Sequence, residues 1–488
     1  MKANSIFAAL VVVGALLANG CTDTAPSGPS ASLGSVTVTK YVAIGNSLTA
    51  GYQSGSLFVD AQTNSFTNLI AGQLNVAGAS IGTFQQPLIA NPGTPGRMEL
   101  VSLVGPQIFI NPASGAPLNI ALPRPYDNLG VPGATIYDFM NATDSNTCAS
   151  AVSGGSPNPL FNLILRGIGT QYTQAKLLNP NLVTFWLGNN DVLGFATSGG
   201  TSPTAPTPST TFAALYAQAV GSLHTALPNA KILVGNIPDV KAIPFFTTVG
   251  PKIAAGIPAG VYLRYQMHGN KGVAFDSTRL TESGAPLITL KASAYAALLG
   301  YPTGQWYRDL AAYLGIPVAA LYPTYQAAGI DTTKPFGFHP QNPFPDALVL
   351  DAGEQATAAQ SISDFNTTIA GVAQSNNATV VDMNGFFAKV KASGVVVDGE
   401  TFTTAYIAGN LFSLDGVHPS SKGEGIVANQ FIKTMNASFG MHVPFVNINL
   451  LPGIPTTNAL SKLATYKNIP IIPYNAWKGF NALWGSGF

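Results

Sequence analysis

Short runs of apolar residues alternate along the chain with longer stretches in which apolar residues recur every three or four positions. The short runs are rich in β-branched residues, as expected for strands buried on both faces of a parallel sheet. They lie at 36–45, 182–187, 231–234 and 379–383. The longer stretches have helical spacing and lie at 65–74, 159–178, 210–227 and 360–374. This alternation predicts a doubly wound, mainly parallel α/β sheet flanked by helices, with ligands bound at the carboxyl ends of the strands.

Three segments depart from this alternation. Segments 76–126 and 197–209 are rich in Pro, Gly, Ser and Thr, which indicates surface excursions. Segment 243–351 carries many aromatic residues between prolines, and we interpret it as a large inserted cap. Segment 441–488 has no clear period. We expect it to pack as a tail on the main domain at 36–440.

The aromatic residues of the cap have two interpretations. Such side chains either line a pocket for an acyl chain or pack the cap's own core, and packing is their more common use. They include Phe245, Phe246, Tyr262, Tyr265, Trp306, Tyr307, Phe336, Phe338 and Phe344.

Residues 1–20 have the composition of an export signal, with a basic start, an apolar run at 6–17 and small residues just before Cys21. The run is shorter than the roughly 20 residues that span a bilayer, so we expect cleavage rather than a retained anchor. The residues LANG before Cys21 resemble a bacterial lipobox. This implies a lipid on Cys21, a flexible tether at 21–35 and an exported outer-membrane lipoprotein facing the periplasm or the exterior. Simple secretion is the alternative, since Ala18 stands where lipoboxes usually have Leu.

The chain has two cysteines, Cys21 and Cys148. A disulfide between them would tie the tether to a distant loop with no framework around it. Lipidation gives Cys21 a separate role.

Composition excludes several classes of function. The 488 residues are 46% hydrophobic and 9% charged, which is enough apolar surface for a large core. The formal net charge of +1 provides no field that would gather nucleic acid. The sequence has no metal-ligand cluster and no phosphate or dinucleotide fingerprint, so we expect neither a metal nor a cofactor.

Ser47 follows the first predicted strand by two residues, in the sequence YVAIGNSLTAGY. Gly45 permits a tight turn there, and the start of a helix offers free backbone N–H groups. A nucleophilic serine needs such a position, although capping the helix is an equally ordinary use of Ser47.

Two further motifs offer candidate donors for an oxyanion. The Gly-rich segment NLGVPGAT at 128–135 is interpreted as a turn, in which Gly133 lets a backbone N–H approach a ligand closely. In GNND, directly after the strand at 182–187, the Asn190 amide is placed to donate to an oxyanion.

The motif DGVHP places Asp415 three residues before His418. In a turn, the carboxylate accepts the Nδ1–H of the imidazole and leaves Nε2 to act as a base. Of the five histidines, only His418 has an acid at this spacing; His339 precedes a proline among cap aromatics, where a packing role is expected.

These four blocks, in this order, resemble those of the SGNH-hydrolase superfamily of GDSL-like lipases and esterases, here in a large exported lipoprotein form. The resemblance implies a flavodoxin-like α/β/α fold. It also implies a triad of Ser47, Asp415 and His418, with an oxyanion hole formed by Ser47, Gly133 and Asn190. The chain departs from the family at Asn46, where the name-giving motif has Asp.

A second serine, Ser80, lies in GASIG, which fits the nucleophile elbow of another hydrolase fold. The elbow needs a buried strand before the serine and a helix after it. The flanking sequence predicts neither, so we interpret the match as coincidence.

The sequence therefore predicts a serine esterase or lipase that hydrolyses carboxylic esters through an acyl-enzyme on Ser47. The substrate is a small-molecule, lipid or acylated-sugar ester, and removal of O-acetyl groups from carbohydrate is the close alternative. A noncatalytic surface lipoprotein that binds lipid or carbohydrate is the alternative from a different class. A lipidated Cys21 would be the contact with a membrane.

Overall fold

The computed structural model describes residues 30–102, 107–202, 206–258, 261–266, 273–276, 285–454 and 469–484. The predicted signal peptide, Cys21 and most of the tether lie outside these residues, as do parts of the predicted cap and tail. Within them, no helix is long and apolar enough to cross a bilayer.

The strands and helices of the described residues, numbered in chain order, have these bounds. The strands are β1 Tyr41–Gly45, β2 Met98–Ser102, β3 Gln107–Ile110, β4 Asn128–Gly130, β5 Leu182–Trp186, β6 Lys231–Gly235, β7 Leu263–Gln266, β8 Val273–Asp276, β9 Leu287–Ile288, β10 Val349–Leu350, β11 Thr379–Val381, β12 Val395–Val397 and β13 Glu400–Phe402. The α-helices are α1 Ser47–Ala50, α2 Val59–Gln62, α3 Phe66–Val76, α4 Asp138–Asn141, α5 Ala149–Val152, α6 Leu160–Leu165, α7 Gln171–Leu178, α8 Asn190–Thr197, α9 Ser209–Ala226, α10 Pro244–Thr247, α11 Val249–Ala254, α12 Gln305–Leu314, α13 Tyr322–Ala327, α14 Ala352–Ser375, α15 Met383–Ser393, α16 Ser421–Phe439 and α17 Lys478–Ala482.

The centre of the molecule is a five-stranded sheet in the order β11-β6-β5-β1-β4. Every neighbouring pair in it is parallel. Counted along the chain, these strands lie in the spatial order 2-1-3-4-5, which is the flavodoxin-like arrangement. The predicted doubly wound α/β fold is confirmed.

Helices cover both faces of this sheet. On one face α3 packs against α16, and on the other α9 packs between α7 and α14. Aromatic rings join the layers: Phe212 of α9 and Phe365 of α14 stack with centroids 3.9 Å apart, and Phe66 of α3 meets Trp186 of β5 edge to face. All five residues of β1 and of β5 are buried, because both strands lie between the two helical layers.

The predicted elements differ from the observed ones in three places. The helix predicted at 159–178 is two helices, α6 and α7, because Arg166 adopts a left-handed conformation (φ 53°) and glycines follow it. The helix predicted at 360–374 begins earlier, at Ala352, where Asp351 and Glu354 form a capping box. The strand β4 lies in the Gly-rich motif that was interpreted as a turn.

The order of the strands creates a crevice at the carboxyl end of the sheet. β1 and β5 are neighbours, but the chain leaves β1 toward β4 and leaves β5 toward β6 on the opposite side. Ligands bind at such a switch point in open α/β sheets. Ser47 follows β1 and Asn190 follows β5, so both lie at this crevice.

Segments outside the sheet surround this edge. The antiparallel hairpin β2–β3 lies within the predicted excursion, and its Gln107 forms a bridge with Ile471 of the last described segment, 469–484. Within the predicted cap, the rings of Phe245, Phe246, Trp306, Tyr307, Phe336 and Phe344 are all buried. The last segment joins this packing, since Trp477 contacts Phe245 edge to face and Tyr474 contacts Trp306 in the same way.

Candidate active site

Ser47 is the first residue of α1, at the sharp turn that follows β1. Asn46 caps this helix, and its side-chain oxygen accepts the backbone N–H of Leu48 at 3.1 Å. Gly45 is required before the turn, because a β-carbon there would collide with Thr49. Strand and helix together hold Ser47 at the crevice with its hydroxyl buried from bulk solvent.

His418 lies beside Ser47. Its Nε2 is 2.8 Å from Ser47 Oγ, and its Nδ1 is 3.0 Å from Asp415 Oδ2. The imidazole is almost completely buried between two aromatic rings. The centroid of Tyr52 is 4.9 Å from that of His418, and the centroid of Phe480 is 6.2 Å away. Packing on two sides fixes the orientation of the imidazole.

Asp415 is held by a turn of its own backbone. Its Oδ1 accepts the N–H groups of Val417 and His418, each at 2.9 Å, and its Oδ2 accepts the N–H of Gly55 at 3.0 Å. Burial by itself would raise the pKa of Asp415, but the His418 charge and these hydrogen bonds outweigh burial and lower it. The carboxylate is therefore ionised and accepts a hydrogen bond from Nδ1–H, which leaves the Nε2 lone pair for the Ser47 hydroxyl.

Of the three residues predicted to donate to an oxyanion, Ser47 and Asn190 line one cavity, and Gly133 lines a neighbouring cavity that Asn190 also borders. Within the described part of the chain, the backbone N–H groups of Ser47 and Gly133 have no acceptor. The Asn190 amide donates to the carbonyl of Ala134 at 2.8 Å, which ties it to the loop that carries Gly133. An amide nitrogen has two hydrogens, so Asn190 keeps a second one to donate.

Gly133 is fixed by its backbone and by the tail. Its φ is +88°, a conformation that favours glycine. A β-carbon there would collide with the Leu483 carbonyl and with the Asn158 amide. The tail therefore passes directly over the loop that carries Gly133.

Two buried carboxylates hold the same loop from behind. Asp191 accepts the N–H of Ile136 at 3.0 Å and the Thr207 hydroxyl at 2.8 Å. Asp138 accepts the N–H of Thr135 at 2.7 Å. Burial raises the pKa of Asp191 to about 7 and that of Asp138 to about 6, since neither forms an ion pair among the described residues.

A cavity with an empty volume of about 660 Å³, including its open mouth, adjoins Ser47 and His418. Most of its lining is apolar. The lining residues are Asn46, Ser47, Leu48, Trp186, Asn189, Asn190, Leu193, Pro238, Asp239, Val240, Ala242, Ile243, Phe387, Phe412, Val417, His418 and Pro419. Ile243 alone among them belongs to the segment predicted as a cap. None of the aromatic residues named for the cap lines this cavity, and six of them are buried as packing residues.

The remaining sequence candidates lie elsewhere. Ser80 is exposed in the loop after α3, with neither strand nor helix around it. His339 lies in a turn of the predicted cap, where its Nδ1 accepts the N–H of Gln341. Cys148 is a buried free thiol, whose S–H donates to the Ser145 carbonyl, and Cys21 lies outside the described residues. Across the described ranges, no group of His, Cys, Asp or Glu side chains is arranged to hold a metal ion.

Several residues of the site were not identified from the sequence. Tyr52 and Phe480 pack on His418, and Trp186, Val240 and Phe412 line the cavity. Phe480 lies in the segment 441–488, which was expected only to pack as a tail on the main domain. The others are brought to the site by folding over long sequence separations.

Comparison with known proteins agrees with this architecture. Residues 41–272 match the family model described as GDSL-like lipase/acylhydrolase, a span that ends before Asp415 and His418. No curated protein matches the chain.

Several solved structures are also similar. A catalytic mutant of Axe2, an acetylxylan esterase from Geobacillus stearothermophilus, is 11% identical and has a TM-score of 0.34; the match covers 83% of this chain and 96% of that one. A GDSL-like lipase from Parabacteroides merdae is 13% identical with a TM-score of 0.31, over 82% and 97% of the two chains. TM-scores this low do not support a fold assignment, which rests instead on the strand order of the sheet.

Proposed function

Because residues 41–272 belong to the GDSL-like lipase/acylhydrolase family, we propose that this carboxylic ester hydrolase works through an acyl-enzyme on Ser47. The single observation that carries the mechanism is the hydrogen-bonded chain from Ser47 through His418 to Asp415, with 2.8 Å and 3.0 Å between the bonded atoms. This is the arrangement by which a weak hydroxyl nucleophile is activated.

In the first half of the reaction, Ser47 Oγ attacks the carbonyl carbon of the ester while His418 Nε2 takes the hydroxyl proton. The resulting imidazolium is stabilised by the ionised Asp415. The carbonyl oxygen becomes an oxyanion, which accepts hydrogen bonds from the Ser47 and Gly133 N–H groups and from the Asn190 amide. Collapse of this intermediate breaks the bond to the alcohol oxygen, and His418 returns the proton to the leaving alcohol.

In the second half, water attacks the acyl group on Ser47. His418 takes a proton from that water, and the same donors stabilise the second oxyanion. When the bond to Ser47 Oγ breaks, His418 gives its proton to that oxygen, which releases the carboxylic acid and restores the serine hydroxyl. The cycle consumes one ester and one water and needs no cofactor.

Hydrolysis of p-nitrophenyl butyrate by the purified protein tests this proposal. Wild type should release p-nitrophenol, Ser47→Ala should reduce kcat by several orders of magnitude, and Ser80→Ala should match wild type. Equal rates for wild type and Ser47→Ala would contradict the mechanism. No hydrolysis of any ester by wild type would instead favour the noncatalytic surface protein.

The export signal and lipid anchor remain proposals, because Cys21 lies outside the described residues. They are supported by the lipobox-like sequence and by the Ser/Pro/Gly composition that follows it. The proposed location is the outer membrane, facing the periplasm or the exterior, with secretion as the alternative. Cys21→Ser should release the protein from the membrane fraction, whereas unchanged membrane association would argue against lipidation.

A further inference from the structure

We infer that the preferred substrate carries an apolar chain of several carbons on one side of its ester bond, and that this chain lies in the cavity beside Ser47. The inference rests on the proposed function, because it concerns the same site. It distinguishes between two substrate classes left open by the sequence: esters with an apolar chain and acetylated carbohydrate.

The cavity begins at the reacting atoms. Ser47 and His418 both form part of its wall, so a group attached to an ester at Ser47 lies next to this cavity. Asn190 also lines it, which places the cavity next to the proposed oxyanion position. A chain that leaves the carbonyl carbon or the alcohol oxygen therefore has a mostly apolar cavity, open at its mouth, directly beside it.

The wall beyond the reacting atoms is built from aliphatic and aromatic side chains. Leu193 of α8 forms one side, and the segment 238–243 after β6 forms another. Phe387 and Phe412 form a third, with their ring centroids 5.9 Å apart. Such a surface stabilises an alkyl chain by removing it from water.

The polar side chains of the lining offer a carbohydrate little to bind. The Asn46 oxygen is occupied by the Leu48 N–H, and the Trp186 indole N–H donates to the Asn236 carbonyl at 3.0 Å. Asp239 lies at the rim, 3.8 Å from the Lys391 ammonium. The amide nitrogens of Asn46 and Asn189 have no acceptor among the described residues, but both atoms are buried beneath the wall, where a ligand does not reach them. A sugar ring here would lose its hydrogen bonds to water without replacing them.

The size of the expected preference follows from burial. Each methylene that leaves water for an apolar wall improves binding about fourfold. A chain of six carbons buries four more methylenes than an acetyl group, so kcat/KM should rise at least tenfold between them even when burial is incomplete. The rise should stop once the chain reaches the end of the cavity.

Two substrate series separate the acyl side of the ester from the alcohol side. In the first, p-nitrophenyl acetate, butyrate, hexanoate and decanoate vary the acyl chain; in the second, ethyl, butyl, hexyl and octyl acetate vary the alcohol. At least a tenfold rise of kcat/KM with length in one series supports the inference and assigns the chain to that side. Faster hydrolysis of the two-carbon esters than of all longer ones, or of peracetylated glucose than of every alkyl ester, would overturn it.

Variants of the cavity wall give a second readout. Ala242→Leu adds bulk inside the cavity and should lower the ratio of kcat/KM for the six-carbon ester to that for the two-carbon ester at least tenfold. Ala254→Leu is the matched control, since Ala254 is half-buried on α11 and does not line the cavity. Ile243→Ala enlarges the cavity and should move the highest kcat/KM to a longer chain. This variant provides a test if Ala242→Leu does not fold.

The failure of this inference differs from a failure of the proposed function. If hydrolysis persists in Ser47→Ala, the mechanism is wrong and the chain-length data do not bear on this cavity. If hydrolysis depends on Ser47 but Ala242→Leu and Ala254→Leu have the same length preference as wild type, the apolar chain does not bind here.

Discussion

The Nε2 atom of His418 lies 2.8 Å from Ser47 Oγ, although the two residues are 371 positions apart in the sequence. Ser47 follows β1, the second strand from one edge of the sheet, whereas His418 comes from the loop before α16, a helix that packs on α3. The contact therefore depends on nearly the whole chain being folded. It is also the contact that distinguishes a nucleophilic serine from a serine that only begins a helix.

Asp415→Asn should reduce kcat by about 10⁴-fold while leaving the fold intact. An asparagine has nearly the same shape, but it lacks the negative charge that holds the proton on Nδ1 and stabilises the imidazolium. Steady-state kinetics on an ester substrate measure this. Asp382→Asn is the control, because Asp382 is an exposed cap of α15 and should tolerate the change. Equal activity of the two variants would show that Asp415 does not orient His418.

Asn190→Ala should lower kcat by about 10²- to 10³-fold with a smaller change in KM, since an oxyanion donor acts mainly in the transition state. The neighbouring Asn189 is the matched control. It also lies at the cavity, but only Asn190 is hydrogen-bonded to Ala134 beside Gly133. Asn189→Ala should cost less than tenfold in kcat. The reverse order of effects would transfer the donor role to Asn189.

Gly133→Ala should lower both stability and activity. Its φ of +88° costs an alanine on the order of 1 kcal/mol, and its new β-carbon would push the loop away from the Leu483 carbonyl. Gly154→Ala is the matched control, because Gly154 has a φ of +90° but no atom near its β-carbon position. Urea unfolding should show a loss in both variants, and only Gly133→Ala should lose more than tenfold in kcat. If Gly154→Ala loses as much activity as Gly133→Ala, the loss does not come from the position of Gly133 at the active site.

Asp191→Asn should become increasingly more stable than wild type as the pH rises from 4 to 8. Burial raises the pKa of Asp191 to about 7 in the folded state, while the unfolded carboxyl has an ordinary value near 4. Between these values the folded chain holds a proton that the unfolded chain releases, so raising the pH favours unfolding. Asparagine does not titrate and still accepts the Ile136 N–H.

Urea unfolding at several pH values measures this effect. The free energy of unfolding of Asp191→Asn, minus that of wild type, should grow by on the order of a few kcal/mol across this range. A difference that is constant from pH 4 to pH 8 would contradict a protonated Asp191 in the folded state.

Much of the fold could be predicted from the sequence, because four of the five strands of the central sheet are short runs made mostly of apolar, often β-branched residues. β1, β5, β6 and β11 have this signal. β4 does not, since it is three residues long and ends in glycine. The break between α6 and α7 was missed although Gly167 and Gly169, which disfavour a helix interior, directly follow the left-handed Arg166.

The site was predictable where its residues follow a strand or share one turn. Ser47, Gly133 and Asn190 lie at the ends of sheet strands, and Asp415 and His418 share a turn. The cavity was not predictable in this way. Phe412, Val240 and Leu193 come from three separate elements, and only tertiary packing brings them to Ser47.

The most direct test of whether His418 activates Ser47 is covalent labelling with a fluorophosphonate, followed by mass spectrometry of the labelled peptide. The reagent reacts with a serine whose hydroxyl is activated by a neighbouring base, so it tests the pairing of Ser47 with His418 without any choice of substrate. If His418 activates Ser47, we expect a single label on Ser47, none in Ser47→Ala, and far slower labelling in His418→Ala. A label on Ser80 or another serine, or labelling of Ser47 at an unchanged rate in His418→Ala, would contradict it.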